Sequence, residues 1–575
     1  MVARPLDPSA RLGARVASAG RAIRLLAALL PDAAYVPLAM LAAWSLVALP
    51  GVPYCHDGMG VERIESYRRT YLVGDFFPTW TPLAANGHGS PHLLLYHRLH
   101  AQLFGLLSLA IGTVPSSKTA VIVLLAFGGA GMRRLCATHG VRPWLSWLAG
   151  VLLLASNYVL VDWYVRGAIA EETAFMLVPW CITALIDVVD RNKSPVRLGI
   201  WSSLLFYGHM VVSMFFGFIV LSVLVERLSR ARALGWEAVR RLGRQMLLTG
   251  AVGACCVLPY AAAVAFATPI CNIGDFGMED HKTYPFPNYL FDPNLSWFGE
   301  IHQDQITVEI GRYFVLPLFA LLVLSPAARR AVRGRVWRLF VPALCFLLVQ
   351  PHDCIFLFNL VPGLAKVQFA WRLISYIVPI VILALAVGTE WTLRAAAPFW
   401  SQVAAGAALL VVAGQMATTV RSQRDAKTKW RTDEDIVKSR YLSDVEVTAT
   451  WQGFNPGGGV RIPRTSFIVA SPDCTFSSPE LTGGKSVAER VKDEDFLLLH
   501  ISVHGTGCRL KINQYNSPLL VLGASQPVQL RTDSDGLMIL DMPHDGTTLT
   551  IRKRGIFELA GLFLEQHIVA IGPQK

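Results

Sequence analysis

Long apolar segments recur between residues 35 and 420, and short clusters of arginine separate many of them. The chain has 575 residues, of which 53% are hydrophobic and only 16% are charged. A soluble chain usually carries charge on about a quarter of its residues. A helix needs about twenty mostly apolar residues to cross a bilayer. This pattern predicts a polytopic α-helical membrane protein.

The net charge of +12 is explained by the same arginine clusters. They lie between apolar runs, where the positive-inside rule places them on the cytoplasmic side. A nucleic-acid partner is therefore not expected, and membrane lipids are. The ten cysteines contain no CxxC pair and no metal-finger spacing, so a zinc module is not expected either.

The spans are predicted from these runs and clusters. About eleven are expected, at residues 35–50, 116–132, 144–161, 173–189, 198–208, 210–225, 246–266, 313–327, 339–351, 373–389 and 402–420. The pair around His209 is too short for two full crossings, and we interpret it as a broken pair held inside the protein. Residues 92–114 are apolar but contain His97, Arg98 and His100. We interpret them as a helix on the outer membrane face, because a true span would invert every later segment and remove the positive-inside bias.

Four regions follow from this topology. Residues 1–32 form a basic cytoplasmic segment, and residues 33–420 form the transmembrane domain, with a first extracytoplasmic loop at 51–115. Residues 421–445 are a linker, and residues 446–575 form an extracytoplasmic domain. The expected location is the inner membrane of a bacterium, with the N-terminus in the cytoplasm and the C-terminal domain in the periplasm.

The C-terminal region shows short alternating runs bounded by Gly, Asp, Pro and Ser. The runs are SFIVA, FLLLHISVH, CRLKINQY, PLLVLG, LMILDMP, TLTIRKR and IFELAGLFLEQ. This pattern predicts an antiparallel β-sandwich. Cys474 and Cys508 lie in this region, and either a disulfide or two buried thiols fits the sequence.

The first loop holds the best candidate for a general base. His56 and Asp57 come just after the first span, and an Asp there can remove a proton from an acceptor hydroxyl or help to hold a divalent cation. The structural alternative is a helix N-cap, because Asp before Gly is common in turns and caps.

Two later blocks carry candidate phosphate ligands at outer span ends. Arg166 lies five and six residues before Glu171 and Glu172, so it can pair with either carboxylate or bind a phosphate. Arg372 starts a later span and can grip a lipid-linked phosphate, with Lys366 assisting. The structural alternatives are interface anchoring for the first block and snorkelling for Arg372.

Together these blocks resemble the GT-C superfamily of integral membrane glycosyltransferases, in the branch of YfhO-like proteins, some of which are labelled as pyruvoyl-tetrahydropterin-synthase-related membrane proteins. The matching residues are His56-Asp57, Pro78-Thr79-Trp80, Asn86 to Pro91 with Tyr96, the block from Arg166 to Glu171, Gln368 to Arg372, and Asp535 to Pro543. Two positions depart from the family pattern. Ala370 stands where the family usually has Pro, and His97-Arg98 stand where Pro-Pro is common.

The resemblance implies a glycosyltransferase that uses a polyprenyl-phosphate-linked sugar and an envelope glycan or lipid acceptor. It places the base on Asp57 and groups Arg372, Arg166, Glu171, Lys366, His56 and Tyr96 around the substrate. A divalent cation, Mg or Mn, is a candidate cofactor, with Asp57 and Glu171 as its candidate ligands. The alternatives are a flippase for lipid-linked saccharides, a non-catalytic glycan-binding assembly protein, and a glycan polymerase or ligase.

Overall fold

The computed structural model describes most of the transmembrane region and part of the C-terminal region. The described residues are 31–55, 60–72, 74–81, 89–270, 272–273, 310–350, 354, 356, 360, 370–396, 398–424, 430–437, 447–448, 467–469, 474–477, 498–532 and 537–568. Residues 1–30 of the basic N-terminal segment, about half of the linker, and the residues His56, Asp57 and Lys366 lie outside them.

Helices make up the described part of the transmembrane region. They are α1 Tyr35–Ala42, α2 Trp44–Ala48, α3 Gly60–Leu72, α4 His92–Leu95, α5 Leu99–Ile111, α6 Thr113–Thr138, α7 Pro143–Leu154, α8 Asn157–Leu160, α9 Ile169–Arg191, α10 Pro195–Gly208, α11 Met210–Leu234, α12 Trp236–Ala267, α13 Arg312–Leu324, α14 Pro326–Arg335, α15 Trp337–Leu348, α16 Ile374–Ala395 and α17 Pro398–Arg424. A π turn at Val161–Arg166 extends α8, and 3₁₀ turns occupy Thr268–Ile270 and Ala370–Leu373.

Seven helices among the described residues are long and apolar enough to cross a membrane. They are Thr113–Thr138, Pro143–Arg166, Ile169–Arg191, Met210–Arg230, Trp236–Ile270, Ala370–Ala395 and Gln402–Gln423. The helices α13 and α14 add an eighth if they count as one span, although they are bent by 111°. The chain is therefore a multi-pass membrane protein, and the finer number of eleven spans stays a prediction.

The bend between α13 and α14 has a local cause. Ser325 is extended, with φ −112° and ψ 106°, and its side chain accepts a hydrogen bond from the Ala328 N–H at 3.2 Å. Pro326 follows at the first helical position, where its missing N–H costs nothing. Ser325 is thus an N-cap that ends α13 and starts α14 in a new direction.

Other predicted spans differ in length from the helices observed. The first is split into α1 and α2, with Ala43 in a non-helical conformation between them. The predicted break at His209 is present, but α11 beyond it is itself long enough to cross. The region 92–114 contains the 13-residue helix α5, which is shorter than a spanning helix.

The core packs closely where glycines face a tyrosine. Tyr35 of α1 lies fully buried against Gly129 of α6 and Gly150 of α7, where a Cβ atom on either glycine would overlap its ring or hydroxyl. The Tyr35 hydroxyl donates a hydrogen bond to the Trp147 carbonyl oxygen at 3.0 Å. These glycines let α1, α6 and α7 approach each other, which fixes the position of the first helices beside the central ones.

Basic clusters that the sequence places on the cytoplasmic side meet at one end of the bundle. Arg133 and Arg134 pair with Asp32, and Arg338 pairs with Asp190. The same end holds the pairs Arg142–Glu390, Arg394–Glu390 and Lys193–Asp187. Arg191 and Arg394 also donate hydrogen bonds to the carbonyl oxygens of Thr138 and Gly140, at the end of α6. The first loop and the turns around residues 166, 209 and 372 lie at the opposite end.

The linker returns to the first loop before the chain enters the C-terminal region. Strand β1, Val52–Pro53, pairs antiparallel with β3, Trp430–Arg431. The short helix α18, Asp433–Val437, follows. The Asp433 side chain accepts a hydrogen bond from the Val114 N–H at 2.9 Å, in the first turn of α6. The described part of the linker is therefore packed against the end of the bundle that holds the first loop.

The C-terminal region contains two four-stranded sheets. Its strands are β5 Phe467–Val469, β6 Thr475–Ser477, β7 Leu498–His504, β8 Cys508–Tyr515, β9 Leu520–Ala524, β10 Gln529–Thr532, β11 Leu537–Met542 and β12 Thr547–Lys553, while the two-residue strands β2 Asn272–Ile273 and β4 Val447–Thr448 pair separately. The orders are β10-β11-β8-β5 and β6-β7-β12-β9, and every pairing is antiparallel. Side chains of both sheets form one buried apolar cluster, with Val503 and Leu549 from one sheet and Leu510 and Leu540 from the other.

One predicted strand is wrong. The segment IFELAGLFLEQ lies in a helix, α19 Ile556–Ile568, rather than in the sheets. Its apolar residues recur at helical spacing, and this face buries Leu559 and Ala560. Leu559 lies in a cluster with Tyr260 and Phe266 of α12, so α19 joins the C-terminal region to the transmembrane bundle.

Cys474 and Cys508 form a disulfide, which resolves the two alternatives left open by the sequence. Cys474 immediately precedes β6 of one sheet, and Cys508 begins β8 of the other. The bond therefore links the two sheets.

Candidate functional site

The site begins where the second long span ends, at the end of the bundle that holds the first loop. The π turn Val161–Arg166 finishes the span, and Gly167 follows with φ +74° in the left-handed region that favours glycine. The Ala168 N–H donates to the Asp162 carbonyl oxygen at 2.7 Å, which closes the turn. The chain then reverses directly into α9, so Arg166 and Glu171 lie side by side.

Arg166 is held between two carboxylates. Its guanidinium donates to Asp162 at 2.5 Å and to Glu171 at 2.9 Å. All three side chains are almost completely buried. The sequence allowed Arg166 to pair with Glu171 or Glu172, and the structure brings it to Glu171. The Tyr158 hydroxyl also donates to Glu171, on its other oxygen.

Arg372 reaches the same carboxylate from a distant part of the chain. Its Nε lies 3.4 Å from the Glu171 oxygen that also pairs with Arg166. The 3₁₀ turn Ala370–Leu373 carries it, and Gln350 fixes that turn by donating to the Ala370 carbonyl oxygen at 3.0 Å. The Arg372 side chain is 15% exposed, against 4% for Arg166, so Arg372 is the more accessible cation.

Two histidines lie close to these arginines. The rings of His97 and His209 have their centroids 3.8 Å apart. His97 stands between α4 and α5, and His209 stands at the break between α10 and α11. Burial lowers the pKa of His209 well below its usual value, and the charges of Arg372, Arg166 and Arg63 lower it further. Both imidazoles are therefore neutral at pH 7.

The helix of the first loop supplies a third arginine. Arg63 of α3 lies over the ring of Tyr96, 3.2 Å from the ring centroid. Its charge also lowers the pKa of His97, after burial, His209 and Arg372. The structure thus brings Tyr96, which the resemblance placed at the substrate, into the neighbourhood of Arg372 through Arg63 and His97.

Three predicted site residues lie outside the described residues. They are His56, Asp57 and Lys366. The residues that flank the first two are described. The Cys55 thiol lies 3.2 Å from the Trp163 carbonyl oxygen, and Gly60 is packed against the Gly167 carbonyl oxygen so closely that a Cβ atom would lie 2.6 Å from it. Both flanks therefore touch the turn that carries Arg166.

The candidate metal ligand Glu171 fits that role poorly. One of its oxygens accepts from Tyr158, and the other faces Arg166 and Arg372. Within the described parts of the chain, no group of three His, Cys, Asp or Glu side chains is arranged to hold a metal ion. Glu171 is instead suited to orienting two guanidinium groups.

Three members of the cluster were missed as site residues by sequence reasoning. Arg63 lies in an amphipathic helix. His97 was noted as an interruption of an apolar segment and as a departure from the family pattern, and His209 was noted only as part of a break between two apolar segments. A histidine at a break between two apolar helices was the available signal, because backbone irregularity inside a membrane protein usually borders a cavity.

Comparisons with known proteins give weak structural similarities. No protein-family model matches the chain, and no curated protein matches it. Among solved structures, arabinofuranosyltransferase AftD from Mycobacteria is similar with TM-score 0.43 and 15% identity, over 70% of this chain and 27% of that one. A mutant of AftD matches with TM-score 0.43 and 13% identity, over 69% and 28%. ArnT from Cupriavidus metallidurans, bound to undecaprenyl phosphate, matches with TM-score 0.38 and 15% identity, over 68% and 74%. The chain thus spans about a quarter of the AftD chain.

Proposed function

We propose that this protein is a membrane glycosyltransferase of the GT-C type. It moves a sugar from a polyprenyl-phosphate-linked donor to a cell-envelope glycan or lipid acceptor on the extracytoplasmic face. The observation that carries the proposal is the pairing of Arg166 and Arg372 with one oxygen of Glu171 at an outer span end. Paired guanidinium groups in a buried setting are well suited to holding a phosphate.

The two arginines have different parts in the proposal. Arg166 is buried between Asp162 and Glu171, which keeps its charge in a fixed place. Arg372 is partly exposed and makes a longer contact with Glu171, so it can turn toward an incoming phosphate. A preorganised pair of cations stabilises the charge that develops on the leaving polyprenyl phosphate.

The first loop supplies the base in this scheme. Asp57 removes the proton of the acceptor hydroxyl, whose oxygen attacks the anomeric carbon of the donor. The bond between that carbon and the phosphate oxygen breaks, and the electron pair leaves with polyprenyl phosphate. A single displacement of this kind inverts the anomeric centre. The contacts of Cys55 with Trp163 and of Gly60 with Gly167 support placing the base near Arg166.

The sidedness is part of the proposal. The basic ion pairs gather at the end of the bundle opposite Arg372, as expected if that end faces the cytoplasm. The disulfide between Cys474 and Cys508 suits an oxidising compartment. We therefore place the site and the C-terminal domain in the periplasm of a bacterial inner-membrane protein. Nucleotide sugars are absent there, and a lipid-linked donor supplies the activated sugar.

The C-terminal region is proposed to be a β-sandwich that covers part of the first loop. Lys553 of β12 pairs with Asp75, and the Thr79 hydroxyl donates to the Arg554 carbonyl oxygen at 2.5 Å. The sandwich thereby borders the side from which an acceptor glycan would approach. This arrangement supports a role in acceptor placement.

A deletion strain tests the function most simply. Mass spectrometry of its surface glycans and lipids should show the loss of one sugar residue, which the wild-type gene restores and the Asp57→Asn gene does not. The Asp57→Gln and Asp57→Asn changes both remove the base, whereas Glu237→Gln, which changes an exposed carboxylate at the start of α12, serves as a control that should restore the sugar. Restoration by Asp57→Asn at the wild-type level would remove the proposed base, and an unchanged glycan profile in the deletion strain would oppose a transferase.

A further inference from the structure

The stacked pair of His97 and His209 is fixed by the first turn of α11. The Met210 N–H donates to the Nδ1 atom of His97 at 3.2 Å, and the Val212 N–H donates to the Nδ1 atom of His209 at 3.3 Å. The first N–H groups of a helix have no partner within the helix, so both imidazoles act as caps. Their ring planes are held at an angle of 30°.

These contacts determine the tautomer of each ring. A backbone N–H can only donate, so each Nδ1 must be an unprotonated acceptor. A neutral imidazole with an acceptor at Nδ1 carries its hydrogen at Nε2. Protonation would place a hydrogen on Nδ1, in addition to the one on Nε2, and Nδ1 could then no longer accept the backbone hydrogen bond. Both rings therefore present an Nε2–H donor.

The surroundings of the pair are cationic. Among the described residues, the charged or titratable neighbours of the two rings include Tyr96, Arg63 of α3, His100 of α5, Arg166 of the π turn and Arg372 of the 3₁₀ turn. Burial and these cations lower the pKa of both imidazoles well below the usual value, which agrees with the neutral tautomer. His209 is 3% exposed, while His97 is only half-buried, so the pair borders accessible space.

We propose that His97 and His209 are substrate-binding residues whose Nε2–H groups donate hydrogen bonds to the phosphate of the lipid-linked donor. The inference rests on the proposed function, because it names two further ligands for the group that Arg372 is proposed to hold. Neutral donors add hydrogen bonds without adding charge. They therefore orient the phosphate while leaving its release after transfer unhindered by two more cations.

Replacing His209 with asparagine or with glutamine distinguishes phosphate binding from simple helix capping. Asn is a good N-cap, so His209→Asn keeps the acceptor for the Val212 N–H but removes the donor at the Nε2 position. His209→Gln extends an amide N–H to about the place of Nε2. The probe is undecaprenyl phosphate, and its binding to the full-length protein in lipid nanodiscs is measured by native mass spectrometry.

Binding should weaken about tenfold for His209→Asn and about a hundredfold for His97→Asn combined with His209→Asn, since each lost hydrogen bond to an anion is worth about one power of ten. His209→Gln should stay within about threefold of the wild type. The matched control is His139→Asn, which changes a buried histidine at the cytoplasmic end and should leave binding unchanged. Thermal unfolding of each variant is recorded, and His97→Asn alone provides a second test if His209→Asn unfolds.

The outcomes distinguish this inference from the proposed function. If the Asn variants bind the probe as tightly as the wild type while Arg372→Ala binds it at least about tenfold more weakly, the histidines are only caps and the inference is wrong. If Arg372→Ala also binds like the wild type, the phosphate site itself is wrong, and the inference fails with it. The affinity of the wild type is also compared with that of the double variant, His97→Asn with His209→Asn, between about pH 6 and pH 8. A constant ratio shows that the two imidazoles bind the phosphate in their neutral form. A ratio that rises steeply toward pH 6 would contradict the neutral donors.

Discussion

The guanidinium of Arg431 forms an ion pair with the carboxylate of Glu62, across 369 positions of the chain, and both side chains are almost completely buried. Arg431 also lies opposite Val52 in the pairing of β1 with β3. Val52 precedes residues 56–59, and Glu62 follows them. A single residue of the linker therefore holds both flanks of the segment that carries the proposed base.

Replacing Arg431 with Met should destabilise the protein strongly. The change leaves the Glu62 carboxylate buried without its cation, and breaking a buried pair in this way costs about 3–5 kcal/mol. Chemical denaturation in detergent micelles measures the free energy of unfolding. The control is Arg509→Met, which removes an ion pair with Asp541 on an arginine whose side chain is 52% exposed. A double change of Arg431→Met with Glu62→Gln should recover part of the loss, and equal stability of Arg431→Met and Arg509→Met would contradict this account.

Arg166 and Arg372 should respond differently to removal. Arg166→Ala leaves both Asp162 and Glu171 buried without their principal cation, so the main expected result is loss of folded protein. Arg372→Ala removes a partly exposed side chain whose partner Glu171 keeps Arg166, so the protein should fold and bind undecaprenyl phosphate at least about tenfold more weakly. Size-exclusion chromatography and probe binding measure the two effects. A folded Arg166→Ala protein with normal probe affinity would show that neither the pairing nor the phosphate role is correct.

Glu65 gives the fold of the first loop a dependence on pH. Burial raises the pKa of this carboxyl, but hydrogen bonds from Arg68, Thr113 and Arg69 outweigh it and lower the pKa below its ordinary value of 4.5. A lowered pKa in the folded state adds stability above pH 4.5 that is lost as the pH falls through the folded-state value. Glu65→Gln should therefore be less stable than the wild type at pH 7, and the gap in unfolding midpoint should narrow as the pH falls below 4.5. A gap that stays constant over that range would count against the charged contacts.

The disulfide offers a test of sidedness. Cys474 and Cys508 should resist alkylation by a maleimide in unreduced membranes and gain two labels after denaturation and reduction. Removing both sulfurs with Ser should lower the stability of the C-terminal region by about 2–4 kcal/mol. Cys255 and Cys256 are free thiols of the spanning helix α12, so their labelling after denaturation without reduction serves as an internal control. Free thiols at 474 and 508 in freshly isolated membranes would argue for a cytoplasmic domain.

Sequence reasoning allowed the contact of the cluster that joins residues close together in the chain. Arg166 and Glu171 are five residues apart at a span end, and a reversal at Gly167 brings them together. The membrane class also followed directly, because apolar length is a physical requirement of the bilayer. A phosphate-binding role for Arg372 was predicted from its position at a span end and from the resemblance, whereas its contact with Glu171 was not predicted.

The other parts depend on tertiary packing that no local pattern encodes. His97 and His209 meet because α4 and α5 pack beside the break that starts α11, and Arg63 joins them from the first loop. The segment at residues 556–566 was predicted as a strand because a short apolar run does not distinguish strand from helix by itself. Its burial against α12 decides the matter in favour of α19.

The most direct test of the central claim is single-turnover cleavage of the donor. Purified full-length protein in liposomes is mixed with a panel of polyprenyl-phosphate-linked pentoses and hexoses and an acceptor extract, and released polyprenyl phosphate is quantified by mass spectrometry. The account predicts release with at least one donor by the wild type. It predicts strong loss of release in Asp57→Asn with probe binding retained, and both weaker probe binding and reduced release in Arg372→Ala. The account is contradicted if the wild type leaves every donor intact but moves it across the bilayer, which is the behaviour of a flippase.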